Sequence, residues 1–367
     1  MDKILILFEN KLHKNVINKY GINILKNHYD IFLCDLSKYI KGKNENYTYD
    51  EKYESFEFID IKYFCSKLKE YNFKFVLDFL AYSKKAFKLR KILEKQKLKV
   101  IKKQGASPTL DSIKNKFFVS NFKYLVNYYN SKNYKHDIGI SESLVSDKNF
   151  FIKKAKKRIY SHSIDYNDYL NFKGVYYKND KKYAVFIDDM ISNHPDYNSI
   201  HKIHPPTDYD TYLNEINFFF NRFEDQTGIE IIISPHPKAD EDYKEKLTSN
   251  RKCIEKKTLQ LIKNCELVFT HESTAISFPV IFQKPIIYLK NNQIIKSWMS
   301  KFIDLKAQNT GSKIINISNV NDLNLNINNI LSIDMNKYLI YKKNYIKHPN
   351  SKNMDTWMFL IEELKSL

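Results

Sequence analysis

The stretch Ile229-Glu230-Ile231-Ile232-Ile233-Ser234-Pro235-His236-Pro237-Lys238 decides how this chain is read. Four isoleucines within five positions make an apolar run of strand length, the mark of a strand covered on both faces. Two prolines then fix the backbone on either side of His236, so its imidazole is presented rigidly at the strand end. Upstream, Tyr209, Tyr212, Leu213, Ile216, Phe219, Phe220 and Phe223 recur at helical spacing. Thr207 or Asp208 can cap that helix and Gly228 can end it. These aromatics belong to a core rather than to a base-stacking platform. Downstream the pattern predicts a helix over 258–264, a strand over 266–270, the polar quartet His271-Glu272-Ser273-Thr274 and a helical run over 275–282. After Lys284-Pro285 a further strand is expected over 286–289. Strand-length apolar runs alternating with amphipathic stretches give an α/β class, with parallel sheets covered by helices.

The same alternation extends to the first half, with strands expected over 3–8, 31–34, 73–78, 99–102 and 137–140 and helices over 11–27, 83–95 and 112–130. A strand over 183–187 opens the second series. It follows a polar, turn-rich stretch, 167–182, in which Gly174 and Asn179-Asp180 break any periodicity. The domain boundary is placed there, giving domains 1–180 and 181–367, with a helix over 354–364 closing the second. No internal repeat is visible, and the Asn-rich stretch 316–329 reads as turns.

Length and composition bound the answer. A chain of 367 residues with 43% hydrophobic content can bury two cores, which excludes disorder and a disulfide-stapled mini-protein. Its 60 Lys and Arg face 42 Asp and Glu, for a net charge of +18. Residues 1–180 hold 36 basic and 20 acidic residues, against 24 and 22 in 181–367. A basic half beside a neutral one suggests a surface facing anions: nucleic acid, an anionic membrane leaflet or a phosphorylated acceptor. The run Lys153, Lys154, Lys156, Lys157, Arg158 belongs to that half, and its plainer reading is a solvated face. Cys34, Cys65, Cys253 and Cys265 form no C-x-x-C, so neither a zinc knuckle nor a disulfide framework is indicated and a reducing cytoplasm fits. The first apolar run, 4–8, is too short for a signal peptide or a spanning helix, so any membrane association is expected to be peripheral.

In doubly wound sheets ligands bind beyond the carboxyl ends of strands, at helix N-termini. Two loops of the second half lie at such positions. In the first, His236 can hydrogen-bond a phosphate oxygen, with Lys238 adding charge; the plainer reading is a solvated loop histidine. The second, His271-Glu272-Ser273-Thr274, offers two hydroxyls and free N–H groups where a strand turns into a helix, although every helix needs such a cap. Asp188-Asp189 ends the strand expected over 183–187 and can contact acceptor hydroxyls. His162 and Asp165 can form an acid/base pair near the boundary, or merely begin a helix. Asp208-Tyr209-Asp210 and Asp240-Glu241-Asp242 match a D-x-D metal motif, but each lies at an expected helix start where acidic residues complement the dipole. His194, His201 and His204 lack carboxylate or cysteine support and read as a polar loop, so no metal site is assigned. The absence of G-x-G-x-x-G, a P-loop and G-x-S-x-G removes the usual dinucleotide, kinase and serine-hydrolase readings.

The order of a strand, His236-Pro237, a helix with Leu261, a strand ending before Ser273-Thr274, then Lys284-Pro285-Ile286-Ile287 resembles the donor domain of GT-B fold bacterial glycosyltransferases that use cytidine nucleotides. Sialyltransferases and capsule-type Kdo transferases have such HP and Ser/Thr motifs, and CDP-glycerol glycerophosphotransferases have a similar pattern. The resemblance covers about residues 183–290 and implies a GT-B fold, two Rossmann-like domains facing a cleft. It implies that His236, Pro237, Lys238, His271, Glu272, Ser273 and Thr274 hold the donor, with His236, Asp188, Asp189 and His162 as candidates for the chemistry. In the first half, Lys103-Gln104-Gly105-Ala106-Ser107-Pro108 is similar to a loop of capsule polysaccharide transferases, which puts Gln104, Gly105 and Ser107 on the acceptor side. Gly105, one of seven glycines, is expected to make a special backbone turn. The acidic D/E-D/E-G motif that carries the base in many sialyltransferases is absent, and Gln104 cannot replace it. Pro279 is expected to shorten the helix after Ser273.

The expectation is therefore a metal-independent glycosyltransferase of surface-polysaccharide or glycan synthesis that needs no cofactor beyond its nucleotide-sugar substrate. A CMP-activated sugar would pass to a glycan or lipid-linked acceptor, with the basic half docked on the anionic inner face of the membrane. A CDP-polyol-phosphate transferase and a nucleotide-sugar epimerase are rival enzymes. A nucleic-acid-binding protein is the rival of another class, disfavoured by the near-neutral second half and the helical spacing of its aromatics.

Overall fold

A computed structural model describes residues 1–9, 14–42, 54–58, 60–81, 83–106, 134–197, 203–322 and 330–365. The expected helix 112–130, Ser107 and His201 lie outside the described residues. The chain divides into two compact units, one of residues 1–170 with 343–367 and the other of residues 171–342. The boundary thus falls ten residues before the expected one. Residues 343–367 belong with the first unit rather than the second, because their helix Thr356–Lys365 places Trp357, Leu360, Ile361 and Leu364 in the core of the first sheet.

The first unit is built on β1 (Lys3–Phe8), β2 (Asp30–Asp35), β3 (Glu54–Glu57), β4 (Phe75–Asp78), β5 (Lys99–Gln104), β6 (Ile138–Ser141) and β7 (Lys157–Tyr160). They form one parallel sheet in the order β3-β2-β1-β4-β5-β6-β7. Alternate residues of β1 serve the two faces, as strand geometry requires. Ile4, Ile6 and Phe8 join Tyr20, Leu25 and Trp357 on one side, and Leu5 and Leu7 join Phe64, Leu68, Leu89 and Leu93 on the other. The helix expected over 11–27 is broken into Lys14–Lys19 and Ile22–Leu25 by Gly21, whose φ is +69°. A Cβ at Gly21 would stand 2.2 Å from the Trp357 ring, so both backbone and packing call for glycine.

The carboxyl end of β4 carries a buried ionic cluster that the sequence did not announce. Asp78 accepts Arg90 Nε at 2.6 Å, His136 Nε2 lies 3.0 Å away, and Lys102 Nζ is 3.7 Å from the second oxygen. The basic run is largely consumed by its own unit: Lys156 pairs with Asp137 at 2.8 Å, Lys157 with Glu363 at 2.7 Å, and Arg158 approaches Asp147 at 3.4 Å.

The second unit has β8 (Tyr183–Ile187), β9 (Glu230–Ser234), β10 (Val268–Thr270), β11 (Ile286–Lys290) and β12 (Lys313–Asn316) in the parallel order β12-β11-β10-β8-β9. A single parallel bridge from Ile233 to Cys253 extends this sheet beyond β9. The helix Tyr209–Thr227 buries the aromatic stripe Tyr212, Phe219, Phe220 and Phe223 read from the sequence. Asp208 caps it and Gly228, at φ +67°, ends it. Because the chain leaves β8 toward β9 on one side and later returns to β10 on the other, the order reverses at β8. In such sheets the crevice beyond the carboxyl ends at that reversal is where ligands bind.

Candidate functional site

Asp188 and Asp189 follow β8 at this reversal. Asp188 is 3% exposed, and both its oxygens are engaged. Oδ1 accepts the Met190 amide at 2.9 Å and the Tyr243 hydroxyl at 2.9 Å; Oδ2 accepts the His236 amide at 3.2 Å. The bond to Met190 helps hold that residue at φ +50°, a left-handed conformation unusual for a non-glycine residue. Burial, and then the neighbouring Asp189, push the Asp188 carboxyl up to about 6. Asp189 accepts the Glu272 amide on Oδ2 at 2.5 Å, while its buried Oδ1 has no hydrogen-bond partner among the described residues. Burial pushes Asp189 up to about 7, helped by the Glu272 charge and opposed by the Glu272 amide and Lys306. Two consecutive carboxylates therefore tether the loops on either side of β8. Asp188, expected as a candidate for the chemistry, is too enclosed and too fully bonded to meet a substrate, and it positions His236 instead.

His236 is partly buried at the end of β9. Its Nδ1 accepts the Lys238 amide at 3.2 Å, which leaves the proton of the neutral ring on Nε2. Desolvation lowers its pKa to about 4, with His194 and Lys238 adding to the shift. The His194 ring stands edge-on 4.9 Å away. Pro237 is exposed in the turn closed by the Ala239 amide on the His236 carbonyl, at 2.9 Å. Lys238 is paired with Asp196 at 2.8 Å, so its charge is already partly neutralised.

The second loop differs from its expected form at its first residue. His271 is fully buried: Nδ1–H donates to the Leu289 carbonyl at 2.7 Å, and Nε2 accepts from the Tyr212 hydroxyl at 2.9 Å. Burial lowers it to about 4, so it is a neutral core residue and not a donor ligand. Glu272 and Ser273 are held from beneath by Lys306, 1% exposed, which bonds the Glu272 carboxylate at 2.8 Å and both the Glu272 and Ser273 carbonyls. Ser273 caps the next turn by accepting the Ala275 amide at 3.2 Å, and Thr274 is exposed. The helical run after Ser273 is short: a 3₁₀ turn at Thr274–Ile276 and an α-helix at Ser277–Phe282 with Pro279 near its start. Lys306 was missed in the sequence. The signal was present, since it shares a stripe with Ile303, Ala307 and Thr310, and a lysine on a core face calls for buried acceptors.

Other expected residues lie elsewhere. His162 is 1% exposed, bridges to Lys347 and points Nε2 at the Met354 carbonyl, 2.8 Å away. It secures the returning segment to the first unit, and that burial removes it from acid/base work. Gln104 donates to the Gly105 carbonyl at 2.9 Å. Gly105 does not adopt a positive φ, so the expected special turn is absent; a Cβ there would stand 2.7 Å from Glu142 Oε2. Asp208 and Asp240 cap the helices Tyr209–Thr227 and Glu241–Thr248, as the plainer reading of both D-x-D stretches held. Among the described residues, no group of three or more His, Cys, Asp or Glu side chains is placed to hold a metal ion.

No protein-family model matches the chain, and no curated protein sequence does. Solved structures do. The UDP-GlcNAc 2-epimerase from Methanocaldococcus jannaschii is similar over all of both chains, at 14% identity and a TM-score of 0.52. CalG4, the calicheamicin glycosyltransferase, aligns over 100% of this chain and 98% of its own, at 8% identity and TM-score 0.54. S. aureus MnaA, solved with UDP, aligns over 100% and 98%, at 13% identity and TM-score 0.50. At such identities the likeness is one of fold: the chain has the GT-B type of architecture, with two Rossmann-like α/β units.

Proposed function

We propose that the protein is a glycosyltransferase whose second unit binds a nucleotide-sugar, with a cytidine nucleotide as the activating group. The observation that carries this reading is the pair of loops at the β8 reversal, His236 on one side and Ser273-Thr274 on the other, tethered by Asp188 and Asp189. A neutral His236 that carries its proton on Nε2 is a hydrogen-bond donor to a phosphate oxygen. The Ser273 and Thr274 hydroxyls can supply further donors to the same group.

In this reading an acceptor hydroxyl attacks the anomeric carbon, the bond from that carbon to the phosphate oxygen breaks, and the negative charge passes to the departing nucleotide. Donors already in place stabilise that charge without reorganising. The acceptor proton passes to solvent water, since the unengaged Oδ1 of Asp189 is itself enclosed. No metal or cofactor takes part. The acceptor is a glycan or a lipid-linked sugar, and the first unit, with the basic surplus, docks at the anionic inner face of the membrane from the cytoplasm. No helix among the described residues is long and apolar enough to cross a membrane.

The second reading, a nucleotide-sugar epimerase, is favoured by the shared architecture with the M. jannaschii enzyme, and the UDP in the MnaA structure makes uridine nucleotides the competing ligands. Thermal shift with CMP, CDP, UMP, UDP, GDP and ADP separates them, because a ligand bound only by the folded state raises its stability. CMP or CDP should raise the Tm most, with EDTA present or absent. A response to UDP alone favours the epimerase or a UDP-sugar transferase, and no response to any nucleotide rejects both readings.

A further inference from the structure

The helix Met335–Tyr341 carries apolar side chains on two sides. One side is anchored: Tyr338 and Tyr341 are buried, and the Tyr338 hydroxyl donates to the Lys284 carbonyl at 2.8 Å. On the other, Met335 is 39% exposed, Leu339 50% and Ile340 54%. Met335 and Leu339 stand one turn apart with Ile340 beside them, so the three form one outer stripe. Single exposed apolar residues are ordinary, but of the eleven large ones exposed among the described residues, three sit on this seven-residue helix. Lys337 lies in the helix, and Lys342 and Lys343 open the π-helical turn Lys342–Ile346 that continues it. Lys343 is exposed, one turn beyond Leu339. No aspartate or glutamate follows Asp334 until Asp355, in a half of the chain whose charges otherwise nearly cancel. Asp334 itself caps the helix, accepting the Lys337 amide at 3.0 Å.

We infer that this helix is a membrane-contact element: Met335, Leu339 and Ile340 enter the apolar layer of an anionic bilayer while the lysines stay among its headgroups. The inference rests on the membrane half of the proposed function and goes beyond it, since it adds an apolar contact made by the second unit to a docking ascribed there to the charge of the first. An apolar helix face with lysines beside it lies in the plane of the bilayer interface. The lysine stems run along the apolar surface, and their ammonium groups reach anionic phosphates. Other occupants match one half of the surface only. Nucleic acid would meet the lysines, but Met, Leu and Ile offer no ring on which a base can stack. A second copy laid face to face would cover the apolar stripe but set lysines against lysines.

Flotation of the full chain with vesicles of equal parts phosphatidylglycerol and phosphatidylcholine tests it. The wild type should bind. Affinity should fall tenfold or more in Leu339→Ser with Ile340→Ser, which removes apolar surface, and in Lys337→Gln with Lys343→Gln, which removes charge. The Leu339 and Ile340 side chains point outward, so the Tm of the first variant should stay near that of the wild type. Leu339→Trp keeps the apolar face and reports insertion: lipids brominated on their acyl chains should quench its fluorescence more than that of the wild type. Full vesicle affinity in the Leu339 and Ile340 variant, or no added quenching in Leu339→Trp, would overturn this inference and leave membrane docking standing. No vesicle binding by the wild type would overturn both. Self-association of the wild type that the serine variant abolishes would give the face to a second copy, and oligonucleotide binding in preference to vesicles would give it to nucleic acid; either overturns the inference.

Discussion

The Asp189 carboxylate accepts the Glu272 amide at 2.5 Å, joining the end of β8 to the loop that follows β10. Its neighbour Asp188 does the same for the loop after β9 through the His236 amide. The separation of the two loops is thus set by one dipeptide at the end of β8, and the protonation of that dipeptide is part of the machinery that positions the site.

The two histidines of these loops should respond to substitution in opposite ways. His271→Ala leaves the Tyr212 hydroxyl and the Leu289 carbonyl unpaired in the core, which should destabilise the protein by ~2–4 kcal/mol. His236→Ala removes no core bond from the ring, so urea denaturation should be near that of the wild type while nucleotide binding and turnover collapse. Full nucleotide affinity in His236→Ala would return that residue to the class of ordinary loop histidines.

Both aspartates titrate above the ordinary carboxylate range, Asp188 near 6 and Asp189 near 7. The folded state therefore holds their protons more tightly than the unfolded chain, and each carboxyl's contribution is lost as pH rises from about 4 through the folded pKa. Asp189→Asn removes one such ionisation, so its stability relative to the wild type should increase from pH 5 to pH 8, with a slope of at most ~1.4 kcal/mol per pH unit. Denaturant melts at the two pH values check the sign. A difference independent of pH would mean that Asp189 does not titrate in that window. The neutral buried histidines His236 and His271 act oppositely between about 4 and 6.5, which is why the comparison with the variant, not the raw wild-type profile, carries the prediction.

Lys306→Met should damage the site although Lys306 is not itself proposed to meet the nucleotide. The methionine fills the space but leaves two loop carbonyls and the Glu272 carboxylate without their donor, at a cost of about 2–5 kcal/mol. Amide exchange in residues 271–275 should quicken before global unfolding does. Lys306→Arg, which keeps the charge, should recover part of the protection.

Membrane docking predicts that the protein binds vesicles containing anionic lipid, is released as salt rises, and ignores neutral vesicles, since each near-surface cation contributes ~1 kcal/mol that salt screens. The run at 153–158 is a poor place to look for the contact. Reversing Lys156 and Lys157 to Glu would set like charges against Asp137 and Glu363, so the melting temperature should fall whether or not vesicles are bound. Preference for oligonucleotides over vesicles would instead support the nucleic-acid reading.

Much of the second unit was legible because its central strands are unbroken apolar runs, as with Tyr183–Ile187 and Ile286–Lys290, and because Asp208 and Gly228 delimit its longest helix. Three of the four edge strands were not, β9 being the exception. Glu54–Glu57 (ESFE), Lys157–Tyr160 (KRIY) and Lys313–Asn316 (KIIN) face fewer neighbours and carry charges that read as surface. The loops of the site could be located, but not the roles within them. Nothing in the order His271-Glu272-Ser273 says that the histidine turns inward and bonds Tyr212, 59 positions away. The helix Thr356–Lys365 was visible as a helix, but a periodic pattern shows that a face will be buried and not which core will bury it.

The return of residues 343–367 to the first sheet inverts the order of synthesis and the order of completion. The second unit is one continuous stretch, 171–342, and can close as soon as it has left the ribosome. The first unit, although translated earlier, lacks Trp357 and the hydrophobic face of the helix Thr356–Lys365 until that helix is made. During that interval the Gly21 side of its core is open to water and to other nascent chains, so the half made first is the half that most needs a chaperone.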